Sequence, residues 1–164
     1  MSLSKYLVFL MIPLVISGCG KSNEGITVSD AYIRGLPPGQ TVTAAFMTLN
    51  NALVQDCQLV GGASSIASSA EIHAHSHQNG TMSMRPVDAV KIPAGESFSL
   101  EPGGYHLMLF GLKDALKEGD EHVITLFFEG EGCGALEGGL KQGELKRGEL
   151  KIVAPVRNVL NEKG

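Results

Sequence analysis

Apolar and polar residues alternate with a period of two over much of the chain, the pattern of half-buried strands. Ile26 to Arg34 reads as one strand, closed by Gly35-Leu36-Pro37-Pro38-Gly39-Gln40, and Thr41 to Leu49 as a second, closed by Asn50-Asn51. Further predicted strands are Gln58 to Val60, Ala70 to His75, Met82 to Val87, Phe98 to Leu100, Tyr105 to Phe110, His122 to Phe128 and Leu150 to Val156. Turn residues recur at close spacing, and the single helical expectation is a turn or two around Leu112 to Lys117. This pattern predicts an all-β fold, an antiparallel β-sandwich or barrel.

The first residues follow a different rule. Lys5 precedes an apolar run from Tyr6 to Ile16, too short to span a bilayer comfortably, which reads as a secretory signal. It ends in Ile16-Ser17-Gly18-Cys19, which resembles the lipobox of bacterial lipoproteins. That resemblance implies a signal peptide over residues 1–18, cleavage before Cys19, lipid on that residue, and a tether over residues 19–25. The mature chain would be anchored to a membrane without crossing it. Its 146 residues suit one domain, residues 26–158, followed by a tail at 159–164.

Within that domain, Gly138 to Ile152 repeats Gly-x-Leu-Lys three times at five-residue spacing. Units this short cannot stack as a solenoid, so the stretch reads as an elongated loop or extra hairpin before the last strand, an insertion over about residues 134–151.

Charge and cysteine content narrow the function. Lys5 is the one charged residue before Cys19, so the mature chain has 12 basic and 17 acidic residues, a balance near −5 that gives no basic footprint for nucleic acid. With Cys19 acylated, Cys57 and Cys133 remain as an even pair in an exported chain, the natural candidates for a disulfide. No Cys-x-x-Cys motif, Gly-x-Ser-x-Gly elbow or His-Glu-x-x-His helix occurs, so catalysis is not expected.

The chemistry concentrates around Asn79-Gly80. His73, His75 and His77 share one strand face, as do Met82 and Met84 on the returning strand. A two-residue loop at Asn79-Gly80 would set His75 opposite Met84 and His77 opposite Met82; a four-residue loop from His77 to Gly80 would set His73 opposite Met84. Both registers are open. In Tyr105 to Phe110, Tyr105, Leu107 and Leu109 form a core face, leaving His106-Leu107-Met108 to present His-x-Met on an exposed or mouth-facing side. Imidazoles combined with soft, uncharged thioethers favour Cu(I) over zinc, magnesium or calcium. Met47 reads as core packing, and His122 is unassigned.

These residues resemble the periplasmic copper chaperones called PCuAC, whose motif is a histidine, ten residues, a methionine, twenty-one residues and His-x-Met. His73, Met84, His106 and Met108 match all four positions, and Gly62-Ala63-Ser64-Ser65, Glu71-Ile72-His73 and the stretch from Pro102 to Lys113 also look like the family. The resemblance implies a cupredoxin-like antiparallel β-sandwich or Greek-key barrel. It implies a monomeric metallochaperone, not an enzyme, at the periplasmic face of a bacterial membrane. Its cargo would be Cu(I), passed by ligand exchange to an acceptor such as the binuclear centre in cytochrome oxidase subunit II or a Sco-type protein. It favours the four-residue loop, with His73 beside Met84. His75, His77 and Met82 lie outside the motif and are auxiliary metal candidates. Two other classes of function remain: a structural or adhesion-type lipoprotein with incidental histidines, and a thiol-disulfide protein using Cys57 and Cys133.

Overall fold

The computed structural model describes residues 25–78, 81–130, 132–133 and 148–158. The expected signal peptide, Cys19, residues 19–24 of the tether, residues 134–147 of the insertion and the tail from 159 lie outside the described residues. Ten strands follow in order: β1 Ile26–Arg34, β2 Val42–Asn51, β3 Cys57–Ser64, β4 Ser69–Gln78, β5 Thr81–Pro86, β6 Val90–Ile92, β7 Ser97–Leu100, β8 Tyr105–Phe110, β9 Glu121–Glu129 and β10 Gly148–Arg157. They hydrogen-bond in the order β5-β4-β8-β2-β1-β10-β9-β3-β6, with β7 continuing along β2 beyond β8. The sheet curls so that its inner faces enclose one core.

Alternation decides what enters that core. On β9, Ile124, Leu126 and Phe128 point inward, on β8 Leu107 and Leu109, on β4 Ile72 and on β3 Leu59, all buried. Each such side chain contributes about 1.5–3 kcal/mol by leaving water. Met47 is buried in the same core. Gly62 lets β3 close on β8, because a Cβ there would stand 3.0 Å from Thr125 O and 3.1 Å from Leu107 Cδ2. Tyr105 sits at the rim, half-exposed and edge-on to Phe98 at 5.2 Å.

Several expectations need correction. The sheet is mixed, because β1 runs parallel to β10 through Ile33↔Val156 and Arg34↔Arg157. Among the described residues there is no helix around Leu112 to Lys117. The first donors there go to distant connecting segments, Leu112 N to Thr41 O just before β2 at 2.9 Å and Lys113 N to Ile66 O between β3 and β4 at 3.0 Å, which ties the segment to the sheet. Asn50-Asn51 does not close β2 but continues it, pairing Asn50 with Ser97. Buried Asn51 uses its amide to hold a neighbouring bend, donating from Nδ2 to Gln55 O at 2.9 Å and Ile92 O at 3.0 Å while Oδ1 accepts from Leu53 N at 3.0 Å. The short β6 went unpredicted; three residues bury Val90 and Ile92 against β3. The last Gly-x-Leu-Lys unit belongs to β10, where Gly148↔Phe128 and Leu150↔Leu126 pair it with β9.

Candidate metal-binding face

Four strands, β5-β4-β8-β2, present one outward face, and period-two alternation fixes its membership. His73↔His106, Glu71↔Met108, Ala44↔Met108 and His75↔Met84 are register partners, so all of these side chains stand on the side opposite Ile72 and Leu107. The expected ligands His73, Met84, His106 and Met108 therefore share one surface, drawn from the β4–β5 hairpin and the more distant β8.

The hairpin register corrects the loop expectation. Gln78 pairs with Thr81, His77 with Met82, His75 with Met84 and His73 with Pro86. Only residues 79 and 80 intervene, the two-residue connection, so His75 faces Met84 directly and His73 is its diagonal neighbour. On the other edge of β4, alignment with β8 sets His73 opposite His106 and Ile72 opposite Leu107 in the core. A two-residue slip along β5 would leave that side unchanged, so the choice belongs to the β4–β5 ladder and its turn. The side chains of His77 and Met82 lie outside the described residues.

Burial grades the face from centre to edge. His106 is only 2% exposed, so of the exposed or mouth-facing placements expected for His-x-Met its histidine does not take the exposed one. The His73 side chain is 13% exposed and Met84, on the edge strand, 52%. The His106 Nδ1 lies 3.1 Å from Gly104 O; a carbonyl only accepts, so Nδ1 carries the proton and the neutral ring offers Nε2 as its lone pair. Gly104 O also accepts from His75 N at 3.2 Å, so one carbonyl fixes the backbone of one histidine and the ring of another. The His73 Nε2 donates to Glu71 Oε2 at 3.1 Å, leaving Nδ1 free for a metal.

Electrostatics keeps the central ring neutral. Burial holds the His106 imidazole below its ordinary pKa, and His75, His73 and Arg34 push it the same way, against the opposing bond to Gly104. Arg34 is stacked over Phe46 at 5.1 Å, and Phe46 in turn lies 6.3 Å from His106.

Two of these neighbours were not singled out from sequence. Glu71 precedes His73 by two, so strand alternation could have placed it on the face; Arg34 arrives through β1 and β2, with no local signal. Cys57 and Cys133 are joined by a disulfide in the other half of the sheet, with Cα atoms 5.8 Å apart and both residues buried.

Comparison with known proteins agrees with this architecture. Residues 26–137 match the LpqE-like family, described as lipoproteins. Lxx21020 of Leifsonia xyli subsp. xyli, a protein named as a lipoprotein, is 38% identical over 110 residues, 66% of this chain and 65% of its own length. The chain thus spans less than two thirds of that relative. Among solved structures, CuI-DR1885 from Deinococcus radiodurans is 32% identical, with TM-score 0.55 over 79% of this chain and 76% of that one. The copper-bound PCuAC domain from PmoF2 has TM-score 0.60 at 22% identity, over 81% of this chain and 92% of that one. The all-β fold is that of the PCuAC domains.

Proposed function

Because the chain belongs to the LpqE-like family, we propose that it is an exported, lipid-anchored carrier of Cu(I), which it binds through His73, Met84, His106 and Met108 and releases by ligand exchange. The observation that carries this reading is the gathering of two imidazoles and two thioethers on one outward sheet face. Its support from outside is the likeness to DR1885, whose solved form holds Cu(I).

The donor set suits a monovalent ion. Thioether sulfur is soft and uncharged, so it stabilises Cu(I) without the tight hold of a thiolate, and it resists oxidation outside the cytoplasm better than a thiol does. The gradient of burial suits delivery. His106, fixed by Gly104, anchors the ion; Met84, half-exposed on the edge strand, is the ligand that an incoming donor group from an acceptor displaces first. The acceptor in this reading is a copper-receiving protein such as cytochrome oxidase subunit II or a Sco-type protein, met at the periplasmic face of the membrane through the anchor at Cys19. The chain is a carrier and not a catalyst. Thiol exchange is the weaker alternative, because attack on a disulfide needs an accessible sulfur and both cysteines are buried.

Anaerobic titration with Cu(I) against a chromogenic chelator tests the reading, with the Met84→Leu/Met108→Leu variant alongside. One-to-one binding that disappears in a variant of unchanged circular dichroism is the expected result. Failure of the native chain to compete for copper, or retention of full affinity by the variant, would overturn it.

A further inference from the structure

His75 stands closer to His106 than His73 does, with ring centroids 5.0 Å apart against 6.1 Å. Its Nδ1 is buried and has no hydrogen-bond partner among the described residues. A buried polar atom left unsatisfied costs about 1–3 kcal/mol, so this ring is held at the centre of the face without any internal bond that accounts for it. Glu71 lies on the same face, in register with Met108 and hydrogen-bonded to His73. Besides its thioethers, the face thus carries three imidazoles and a carboxylate.

Those two groups of donors differ in softness. Imidazole nitrogen and carboxylate oxygen suit Cu(II), whereas thioether sulfur suits Cu(I). We propose that the face has a second donor set, His73, His75 and His106 with the Glu71 carboxylate, that binds Cu(II). It overlaps the Cu(I) set at His73 and His106, and it rests on the carrier reading only through those two shared residues. Sharing makes the two sets exclusive, so the protein holds one copper ion in either oxidation state and binding in either state requires no electron transfer.

Charge and geometry set the terms of this second set. Arg34, stacked beside the face, raises the cost of a divalent ion near His106, and the Glu71 carboxylate offsets it. Among the described residues no three His, Cys, Asp or Glu side chains already converge on one point. The set therefore closes by side-chain rotation on a fixed backbone, with His106 as the ring least free to move and His75, which has no ring bond to break, as the one that swings.

The test uses the full chain in detergent, titrated with Cu(II) sulfate in air and with Cu(I) under anaerobic conditions, for the native protein, His75→Ala, His75→Asn and Met84→Leu. Native protein is expected to take one Cu(II) with nitrogen superhyperfine splitting in its electron paramagnetic resonance spectrum. Either His75 variant should weaken Cu(II) by about tenfold or more, the scale on which metal sites respond to loss of a supporting group, and Cu(I) by far less. Met84→Leu should do the reverse. Unchanged Cu(II) affinity in both folded His75 variants, or a native Cu(II) spectrum without nitrogen coupling, would overturn the proposal. His75-dependent Cu(II) binding by a native chain that ignores Cu(I) would uphold it and sink the carrier reading.

Discussion

The His75 and His106 rings lie 5.0 Å apart, and both residues hang on the Gly104 carbonyl, one through its backbone N and the other through Nδ1. At the centre of the face the backbone of His75 and the ring of His106 are therefore held while the His75 ring is not, and this asymmetry governs how substitutions should act.

Met84 and His106 should separate binding from stability. Met84→Leu exchanges groups of similar volume at an exposed edge position, so its effect on stability should stay within about 0.5 kcal/mol while Cu(I) affinity falls. His106→Ala empties a buried site and leaves Gly104 O short of one donor, and should cost about 1–3 kcal/mol as well as copper. Urea midpoints at constant m, measured beside Cu(I) competition, check both expectations.

The depressed pKa of His106 makes folding depend on pH in a definite direction. Burial favours the neutral ring, so as pH falls the unfolded chain takes up this proton first. The related stability is fully present above the unfolded value of about 6.5 and is lost as pH falls toward the lower folded value. Unfolding free energies between pH 7.5 and 5 should show that slope, and His106→Gln should reduce it. Copper affinity should decline over the same range, because protons compete for the imidazole lone pairs.

Reduction of the Cys57–Cys133 bridge should destabilise the domain without touching the metal face. The cross-link spans 76 residues, and closing a loop of that size in the unfolded chain corresponds to about 4 kcal/mol by chain-entropy reasoning. Thermal melts with and without reductant should show the drop, with Cu(I) stoichiometry retained by the protein that remains folded.

Asn51 should be intolerant of an apolar replacement. Asn51→Leu removes donors to Gln55 O and Ile92 O and an acceptor for Leu53 N, all at a buried position. Leaving such groups unpaired should cost about 2–4 kcal/mol, whereas Asn50→Ala on the exposed side should cost well under half of that. Chemical denaturation of the two variants distinguishes them.

By itself the sequence determined that the chain is all-β, which side chains share a face within each strand, and that Met47, Leu107 and Leu109 belong inside, because alternation with a period of two is a local property. It also supplied the candidate ligands, since the intervals between His73, Met84, His106 and Met108 match the motif of the family that the chain resembles. Tertiary structure decided who meets whom. Both hairpin registers keep the same residues on the same face, so only the assembled β4–β5 ladder could set Met84 opposite His75 and Pro86 opposite His73. Likewise the start of Leu112 to Lys117 is bonded to Thr41 and Ile66, residues far away in the chain, and Asn51 reads as a turn residue until the carbonyls that it satisfies are brought beside it. Arg34 reaches the face through two neighbouring strands, and the burial of His106 depends on Phe46 lying next to it. Register, burial and charge are sums over residues distant in the chain, and those sums exist only once the sheet has closed.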